Sequence, residues 1–304
     1  MIWKLPPAVV QLLTSVAILA APAASAQRPR GEWVALPEPA AQQLAEHRRI
    51  DAALAALKPQ RPGVVDAYVI VVALDGDPVF GREAREAGRV LANRFDAVGH
   101  TIVLASDEGD SKGDAPGSPQ TLALAFARTA ELMDRNEDVL VLYSTSHGEP
   151  DEGLIYKDMQ RGAGIISPAR LAGMLDELGF RNRLLMLQAC FSGQFVPPLA
   201  NSNTIVVTAA AADRSSFGCQ AGNDWTFFGD ALVNHAFRQP LPLDVQLRRA
   251  TALISAAEER DHLLASNPQV SMGSDTAKWL DQLDAREPKS PSAPVGQSVL
   301  GLGR

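Results

Sequence analysis

The chain has 304 residues, of which 46% are hydrophobic and 21% are charged. Such a composition can bury a full core, so it excludes a chain that is disordered throughout and favours one α/β domain with extensions. The formal net charge of -7 argues against nucleic acid as a partner.

The first 26 residues have the layout of a secretory signal. A single Lys4 precedes an apolar run, and small residues stand at Ala24 and Ala26 before the expected cleavage point. The alternative is an amino-terminal membrane anchor, but the run is short and interrupted by prolines, which favours the signal. We therefore expect residues 1–26 to be removed and the mature protein to be exported, periplasmic or secreted, and not held in a membrane.

A linker and a helix are predicted to follow, over residues 27–63. The sequence is rich in Pro and Arg up to residue 40, and helical spacing of Leu and Ile begins at residue 39. Strands and helices then alternate. Strands are predicted at 67–74, 101–105, 139–143, 184–189 and 204–208, and helices at 82–95, 120–134, 168–178, 227–237 and 243–264.

This alternation predicts an α/β fold in which helices cover both faces of a mainly parallel sheet. Short β-prone pieces around glycines between residues 149 and 166 predict a small hairpin beside the sheet. The tail 286–304 is rich in Pro, Ser and Gly and is expected to be disordered, which leaves 64–285 as the folded domain. No GxGxxG or GxxxxGK[ST] motif follows a strand, so dinucleotide and P-loop sites lack their main support.

Two of the predicted strands end in small polar turns that each carry one reactive side chain. Residues 139–148 read VLVLYSTSHG and residues 184–193 read LLMLQACFSG, which places His147 and Cys190 just past the apolar runs. If the strands are parallel neighbours, both side chains emerge at the carboxyl edge of the sheet, where open α/β folds build their sites. A partly exposed cysteine beside a base is a nucleophile, and an imidazole can later protonate the leaving amine.

Small residues surround both positions and allow a substrate carbonyl to approach the backbone. The amides of Gly148 and Cys190 are therefore candidates for an oxyanion hole. Taken alone, His147 could be a hydrogen-bonded loop residue and Cys190 a core thiol. Their occurrence together at successive strand ends favours catalysis. A zinc site that adds Cys219 is disfavoured, because no CxxC or HxxxH spacing occurs.

These motifs resemble a known family of peptidases. The Ser-His-Gly at 146–148 and the Gln-Ala-Cys at 188–190 resemble the clan of cysteine peptidases that includes legumain and the caspases. The Cys-Phe-Ser-Gly at 190–193 is similar to the Cys-x-Ser-Gly of legumains, and TAAAADRSSFGC at 208–219 is similar to another legumain segment. The resemblance covers residues 64–238 and is nearest to exported bacterial members.

The resemblance implies a caspase-like α/β/α sandwich, a Cys-His dyad, and neither a metal nor an organic cofactor. It also carries the primary specificity pocket of the family onto four positions of this chain, namely Arg82, Gln188, Ser215 and Asp224. A pocket with both a guanidinium and a carboxylate suits the neutral amide of Asn, each end of which pairs with one wall. Without Asp224 turned inward, Arg82 favours Asp instead.

The sequence departs from the family pattern at three positions. Legumains orient the histidine with an Asn near the end of the first strand, where the matching residue here is Val79, so the third catalytic member is expected to be absent or supplied differently. The acidic residue after the legumain cysteine is replaced by Phe191, and the Asp before the histidine by Ser146.

The favoured function is that of an exported cysteine endopeptidase that cuts peptides or proteins after Asn or Asp, and that could also ligate peptides. The alternative is a non-catalytic protein-binding module on the same fold. A disulfide between Cys190 and Cys219 is the other expectation for an exported chain. Because that bond would occupy the nucleophile, the enzyme hypothesis requires Cys219 to be free and buried in the pocket wall.

Overall fold

A computed structural model describes residues 34–105 and 114–302 of the chain. The predicted signal peptide and residues 27–33 of the predicted linker lie outside the described residues. None of the helices in these two ranges is both long enough and apolar enough to cross a membrane.

The first half of the fold alternates strands and helices as predicted. Its elements are β1 (Val34–Ala35), α1 (Ala40–Ala55), β2 (Ala67–Ala73), α2 (Pro78–Arg94), β3 (Thr101–Leu104), α3 (Pro119–Leu132), β4 (Val139–Thr145), β5 (Gly148–Glu149), β6 (Gly153–Asp158) and β7 (Gly162–Ile166).

The second half begins at α4 (Pro168–Glu177), which has the cap that its sequence predicts: Ser167 accepts a hydrogen bond from the Arg170 amide, and Pro168 is the first helical residue. The remaining elements are β8 (Asn182–Gln188), a 3-10 turn (Ser192–Phe195), α5 (Val196–Leu199), β9 (Thr204–Thr208), α6 (Phe227–Gly229), a π-helical stretch (Asp230–Ala236), α7 (Leu243–Arg260), β10 (Gln269–Met272) and α8 (Ala277–Asp284).

The main sheet has six strands in the order β10-β9-β8-β4-β2-β3. All of its neighbouring strands run parallel except β10, which is antiparallel to β9. A second, antiparallel sheet has the order β1-β7-β6-β5 and contains the predicted hairpin. The two strands with the reactive ends, β4 and β8, are direct neighbours at the centre of the main sheet.

The main sheet separates two hydrophobic cores. Along β2, Val69 and Val71 belong to the core that includes residues of α2, α7 and α8, whereas Ile70 and Val72 belong to the core that includes residues of α3 and α4. Successive strand residues point to opposite faces, so a strand covered on both faces must be apolar at every position, as β2 is. The predicted α/β/α sandwich around a mainly parallel sheet is therefore confirmed.

Several boundaries differ from the sequence prediction. α2 begins at Pro78 rather than at residue 82, because a proline is well placed in the first turn of a helix. α7 ends at Arg260, and His262 shortly beyond it has a left-handed φ of 54°. The sequence analysis missed β10 and α8. β10 is a short edge strand whose side chains are largely exposed, so it lacks the apolar run that marked the other strands.

The carboxyl-terminal segment 286–302 was expected to be disordered, but in the structure it lies against the domain. The Trp225 indole donates to the carbonyl of Val295 at 2.9 Å, and the amide of Val299 donates to Asp230 at 2.8 Å. Leu300 is 3% exposed and joins the core on the α2 face. No helix or strand occurs between residues 286 and 302, and these contacts anchor the segment.

Candidate active site

The proposed base, His147, and the proposed nucleophile, Cys190, follow two neighbouring strands, β4 and β8. In the parallel register of β4 and β8, Thr145 lies opposite Gln188. His147 and Cys190 each follow this pair by two residues, at the carboxyl edge of the sheet. Because neighbouring strands lie only about 4.8 Å apart, the register brings the two residues to one place.

Gly148 is where the two strand-end segments touch. A Cβ atom placed on Gly148 would overlap the carbonyl oxygen of Cys190 and lie 3.1 Å from the Cβ of Ala189. Only a residue without a side chain allows this approach. The two amides predicted to form the oxyanion hole, those of Gly148 and Cys190, therefore belong to segments in direct contact.

His147 is held on one side by an aromatic ring and faces a carboxylate. The Phe80 ring meets the imidazole edge to face, with 5.0 Å between centroids and 86° between planes. Asp77 places Oδ2 at 3.6 Å from His147 Nε2. The carbonyl of His147 accepts the amide of Ile155 at 3.0 Å, which fixes the backbone to β6. The imidazole thus has a defined place and a charge partner.

The sulfur of Cys190 lies against the backbone of Ser216. The Ser216 amide donates to Sγ at 3.3 Å, and the Ser216 carbonyl lies 3.5 Å from Sγ, where the thiol can donate to it. The loop after β9 therefore supplies one of the polar contacts that a nucleophilic sulfur needs.

The residue after the nucleophile has a strained backbone. Phe191 has a φ of 57°, in the left-handed region that a bulky side chain rarely occupies. Its amide donates to the carbonyl of Arg214 at 2.8 Å. Such strain costs about 1–3 kcal/mol and persists only where the surroundings enforce it, commonly at functional sites. Here it turns the chain sharply after Cys190.

Gln188 was predicted in the pocket floor and lies fully buried beneath both loops. Its Oε1 accepts hydrogen bonds from the Ser146 amide and the Thr145 hydroxyl, both at 3.1 Å. The other end of the amide, Nε2, lies 3.9 Å from the sulfur of Cys219. Gln188 therefore ties the end of β4 to the strand that carries the nucleophile.

Arg82 and Asp224 meet each other rather than facing across an open pocket. Arg82 Nη2 donates to the carbonyls of Ala221, at 2.5 Å, and of Asn223, while Nε lies 3.5 Å from Asp224 Oδ1. Asp224 Oδ2 accepts the amide of Gln297 at 2.7 Å. The positive charge predicted to select the substrate is thus matched within the protein.

Ser215 is exposed, and its neighbour Ser216 is the residue that contacts the nucleophile. The hydroxyl of Ser216 is buried and has no hydrogen-bond partner. Ser215 was predicted in the specificity pocket, and the contact with the Cys190 sulfur is made by Ser216 instead.

Cys219 is free, as is Cys190, so the structure does not contain the disulfide alternative. Burial, followed by the nearby Cys190 and Glu83, raises the pKa of the Cys219 thiol to about 12. Cys219 therefore stays a neutral thiol near neutral pH. It lies in the wall of the site, as the enzyme hypothesis requires.

Sequence reasoning missed two acids at the end of β2. Asp75 and Asp77 follow Ala73, the last residue of the strand, and both interact with His147 in the structure. The available signal was their position, since β2 neighbours β4 and its carboxyl end lies at the same edge of the sheet. The family pattern points instead to Val79, which is fully buried in α2.

No group of three or more His, Cys, Asp and Glu side chains suited to a metal ion occurs within residues 34–105 and 114–302. The zinc hypothesis built on His147, Cys190 and Cys219 gains no support there.

The segment that contains both proposed catalytic residues is similar to a known peptidase family. Residues 120–256, which include His147 and Cys190, match the model of the Peptidase C13 family. Among solved structures, that of caspase-1 from Spodoptera frugiperda is similar, with 14% sequence identity and a TM-score of 0.43, and the match covers 68% of this chain and 85% of that chain. No curated protein matches the chain.

Proposed function

We propose that this legumain-like cysteine peptidase is an exported endopeptidase. The family match over residues 120–256 contains both proposed catalytic residues. The enzyme cleaves peptide bonds after Asn, and less readily after Asp, through a thioester on Cys190. The observation that carries the proposal is the register of β4 and β8, which places His147 and Cys190 at matching positions past Thr145 and Gln188.

The proposed reaction uses two covalent steps. His147 accepts the thiol proton, and the Cys190 sulfur attacks the scissile carbonyl carbon. The resulting oxyanion accepts hydrogen bonds from the amides of Gly148 and Cys190. The C–N bond then breaks as His147 passes its proton to the leaving amine, which leaves a thioester.

Water completes hydrolysis of the thioester. His147 takes a proton from the water, the resulting hydroxyl adds to the thioester carbon, and the C–S bond breaks to regenerate Cys190 and release a carboxylic acid. A peptide amine in place of water forms a new peptide bond by the same route. The balance between hydrolysis and ligation then depends on which nucleophile reaches the thioester.

The preference for Asn over Asp is supported by the charges around the site. Arg82 is already matched by Asp224 and by two backbone carbonyls, so it offers little unmatched positive charge to an acidic side chain. Gln188 and Cys219 are neutral and add no charge to the site. A neutral amide suits these surroundings better than a carboxylate.

The test replaces the nucleophile and varies the substrate. Cys190→Ala should abolish turnover of peptides that carry Asn before the cleaved bond, whereas Cys219→Ala, which removes the other thiol, should keep the wild-type ranking of substrates. The wild-type enzyme should cleave after Asn faster than after Asp. Unchanged turnover in Cys190→Ala would remove the peptidase mechanism, and a preference for Asp would remove only the assignment of specificity.

Export and ligation are tested separately. The amino terminus of the protein secreted from a host that expresses the full chain should begin at Gln27, after cleavage behind Ala26. Adding a peptide amine to an Asn substrate should yield the ligated product as well as the acid. An intact amino terminus at Met1 in an exported fraction would contradict the proposed cleavage.

A further inference from the structure

The turn between β2 and α2 brings two carboxyl groups to the proposed catalytic base. Asp77 Oδ2 lies 3.6 Å from His147 Nε2, and Asp75 interacts electrostatically with the same imidazole. Neither residue lies in the segment that matches the peptidase family, which begins at residue 120. Their possible part in the reaction has to be argued from their own contacts.

Asp77 precedes the first residue of α2, the position where an Asp normally caps the helix. A capping carboxylate accepts an amide of the first turn, yet the Asp77 side chain makes no such bond. Its backbone is extended, with φ of -60° and ψ of 131°, and Pro78 follows at the start of the helix. The carboxylate is therefore directed to His147 instead of to the helix.

Asp75 fixes the backbone of Asp77. Its Oδ1 accepts the Asp77 amide at 2.9 Å, and the adjacent Gly76 amide donates to the carbonyl of Lys157 at 2.8 Å. Asp75 is 2% exposed, and its Oδ2 is buried without a hydrogen-bond partner. Burial raises the pKa of Asp75, while the Asp77 amide and the charges of His147 and Lys157 act in the opposite direction.

The same turn supplies the ring that limits how the imidazole can rotate. Phe80 lies in the first turn of α2, three residues after Asp77, and meets the imidazole edge to face. His147 thus lies against an aromatic wall and a carboxylate that come from one rigid strand-to-helix turn. The titratable groups that interact with it are Asp77 and Asp75 from this turn, and Lys157 from β6 acts in turn on Asp75.

We propose that Asp77 is the positioning residue of His147 and that Asp75 holds Asp77 in place. The Asp77 carboxylate selects the orientation of the imidazole and stabilises the imidazolium that forms when Cys190 gives up its proton, as a buried acid does in other triads. The pair supplies from the end of β2 the third member that the family pattern did not locate at Val79. This inference rests on the proposed Cys-His mechanism.

The test compares Asp77→Asn with Asp281→Asn, a matched change at an exposed residue of α8. Asp77→Asn should lower kcat by about 10- to 1,000-fold with KM changed by less than about threefold, because orientation and charge matter most in the transition state. The acidic limb of the kcat/KM profile, where the base His147 becomes protonated, should move to lower pH, because the imidazolium loses its neighbouring negative charge. Asp281→Asn should match the wild type.

Conservative and supporting variants separate positioning from folding. Asp77→Glu should restore part of kcat and of the acidic limb, because it keeps the charge with one extra methylene. Asp75→Asn should lower kcat in the same direction. If Asp75→Asn fails to fold, the half-exposed Asp77 still provides the decisive variant, and its melting temperature and circular dichroism should stay near those of the wild type.

The outcomes distinguish this inference from the proposed function. Wild-type kcat and an unmoved pH profile in Asp77→Asn, together with an inactive Cys190→Ala, would overturn the role of Asp77 and leave the peptidase mechanism intact. Full turnover in Cys190→Ala would instead remove the mechanism on which the role depends. A loss of kcat in Asp77→Asn that Asp77→Glu does not relieve, with no movement of the pH profile, would reduce Asp77 to a structural residue.

Discussion

Two cysteines share the site, but their sulfurs have different surroundings. Cys190 Sγ accepts the amide of Ser216, while Cys219 is largely buried and lies beside the neutral amide of Gln188. Burial is the largest influence that raises the pKa of Cys219, to about 12. Only the thiolate reacts with alkylating agents, so the two residues should be distinguishable by their chemistry.

We predict that iodoacetamide at pH 7.5 alkylates Cys190 first and leaves Cys219 unmodified in the native protein. Mass spectrometry of digested protein measures both rates, and inactivation should follow the modification of Cys190. Cys219→Ala should retain the fast-reacting thiol, and denaturant should make both sites reactive. Equal rates in the native state, or a quantitative disulfide in active material, would contradict this assignment.

At the scale of elements, the contact between the two strand ends depends on Gly148. The turn that begins β5 meets the Cys190 carbonyl at a distance that leaves no room for a methyl group. Gly173, on the exposed surface of α4, has no atom within 4 Å of the equivalent Cβ position and provides a matched control.

We predict that Gly148→Ala lowers kcat/KM by at least about 100-fold, since a displacement near 1 Å can cost that much, while the protein stays folded. Gly173→Ala should keep full activity and gain up to about 1 kcal/mol of stability, because alanine favours the helix. Peptide turnover and denaturant unfolding provide the two measurements. A Gly148→Ala enzyme with wild-type kinetics would show that the two segments need not touch.

The elements also show how far the sequence could lead. Apolar runs located β2, β4, β8 and β9, and the alternation of elements implied a parallel sheet, because a strand covered on both faces must be apolar throughout. β10 was not predicted, because an exposed edge strand has no continuous apolar run. Asp77 was not predicted for a different reason. Its role depends on the register of β2 with β4, and no local pattern in the chain encodes which strands become neighbours.

The pocket residues were the least predictable part of the site. The family resemblance assigned both Arg82 and Asp224 to the specificity pocket. Their mutual contact depends on how the loop after β9 folds. The same loop decides that Ser216, and not Ser215, meets the sulfur. Such choices follow from backbone conformation in an irregular segment, which residue types alone do not determine.

At the scale of the whole molecule, residues 298–300 bind the carboxylate of Asp230 at the start of the π-helical stretch. Asp230 Oδ2 accepts the Ser298 hydroxyl at 2.7 Å and the amides of Val299, at 2.8 Å, and Leu300, at 3.3 Å. Burial alone would raise the pKa of Asp230. The His235 imidazole, whose Nε2 lies 3.3 Å from Asp230 Oδ1, and the hydrogen bond from Ser298 outweigh burial and hold the pKa below its usual value of 3.8.

A carboxyl whose pKa is lowered by folding stabilises the native state above its unfolded pKa and loses that contribution as the pH falls through its folded pKa. We predict that Asp230→Asn lowers the free energy of unfolding by about 2 kcal/mol at pH 7, the scale of hydrogen bonds to a charged group. The difference from the wild type should shrink below pH 3.8. Urea unfolding at several pH values measures it.

Glu259→Gln provides the control, because Glu259 lies on the exposed surface of α7. It should leave the free energy of unfolding nearly unchanged at each pH. A difference between Asp230→Asn and the wild type that stays constant down to pH 2 would show that the charge on Asp230 contributes nothing. The carboxyl-terminal segment would then be held by its other contacts, among them the bond of Gln297 to Asp224 and that of Val295 to Trp225.

The central placement of β4 and β8 also determines how the arrangement of the two strand ends can be lost on unfolding. Every residue of both strands is buried, and each strand has hydrogen-bonded neighbours on both sides. Amides in such strands exchange with solvent only when the whole domain opens, whereas loop-borne sites can open locally at small cost. The strands that carry the nucleophile and the base therefore share the cooperative unfolding unit of the sheet. Separating β4 from β8 therefore requires the sheet itself to unfold.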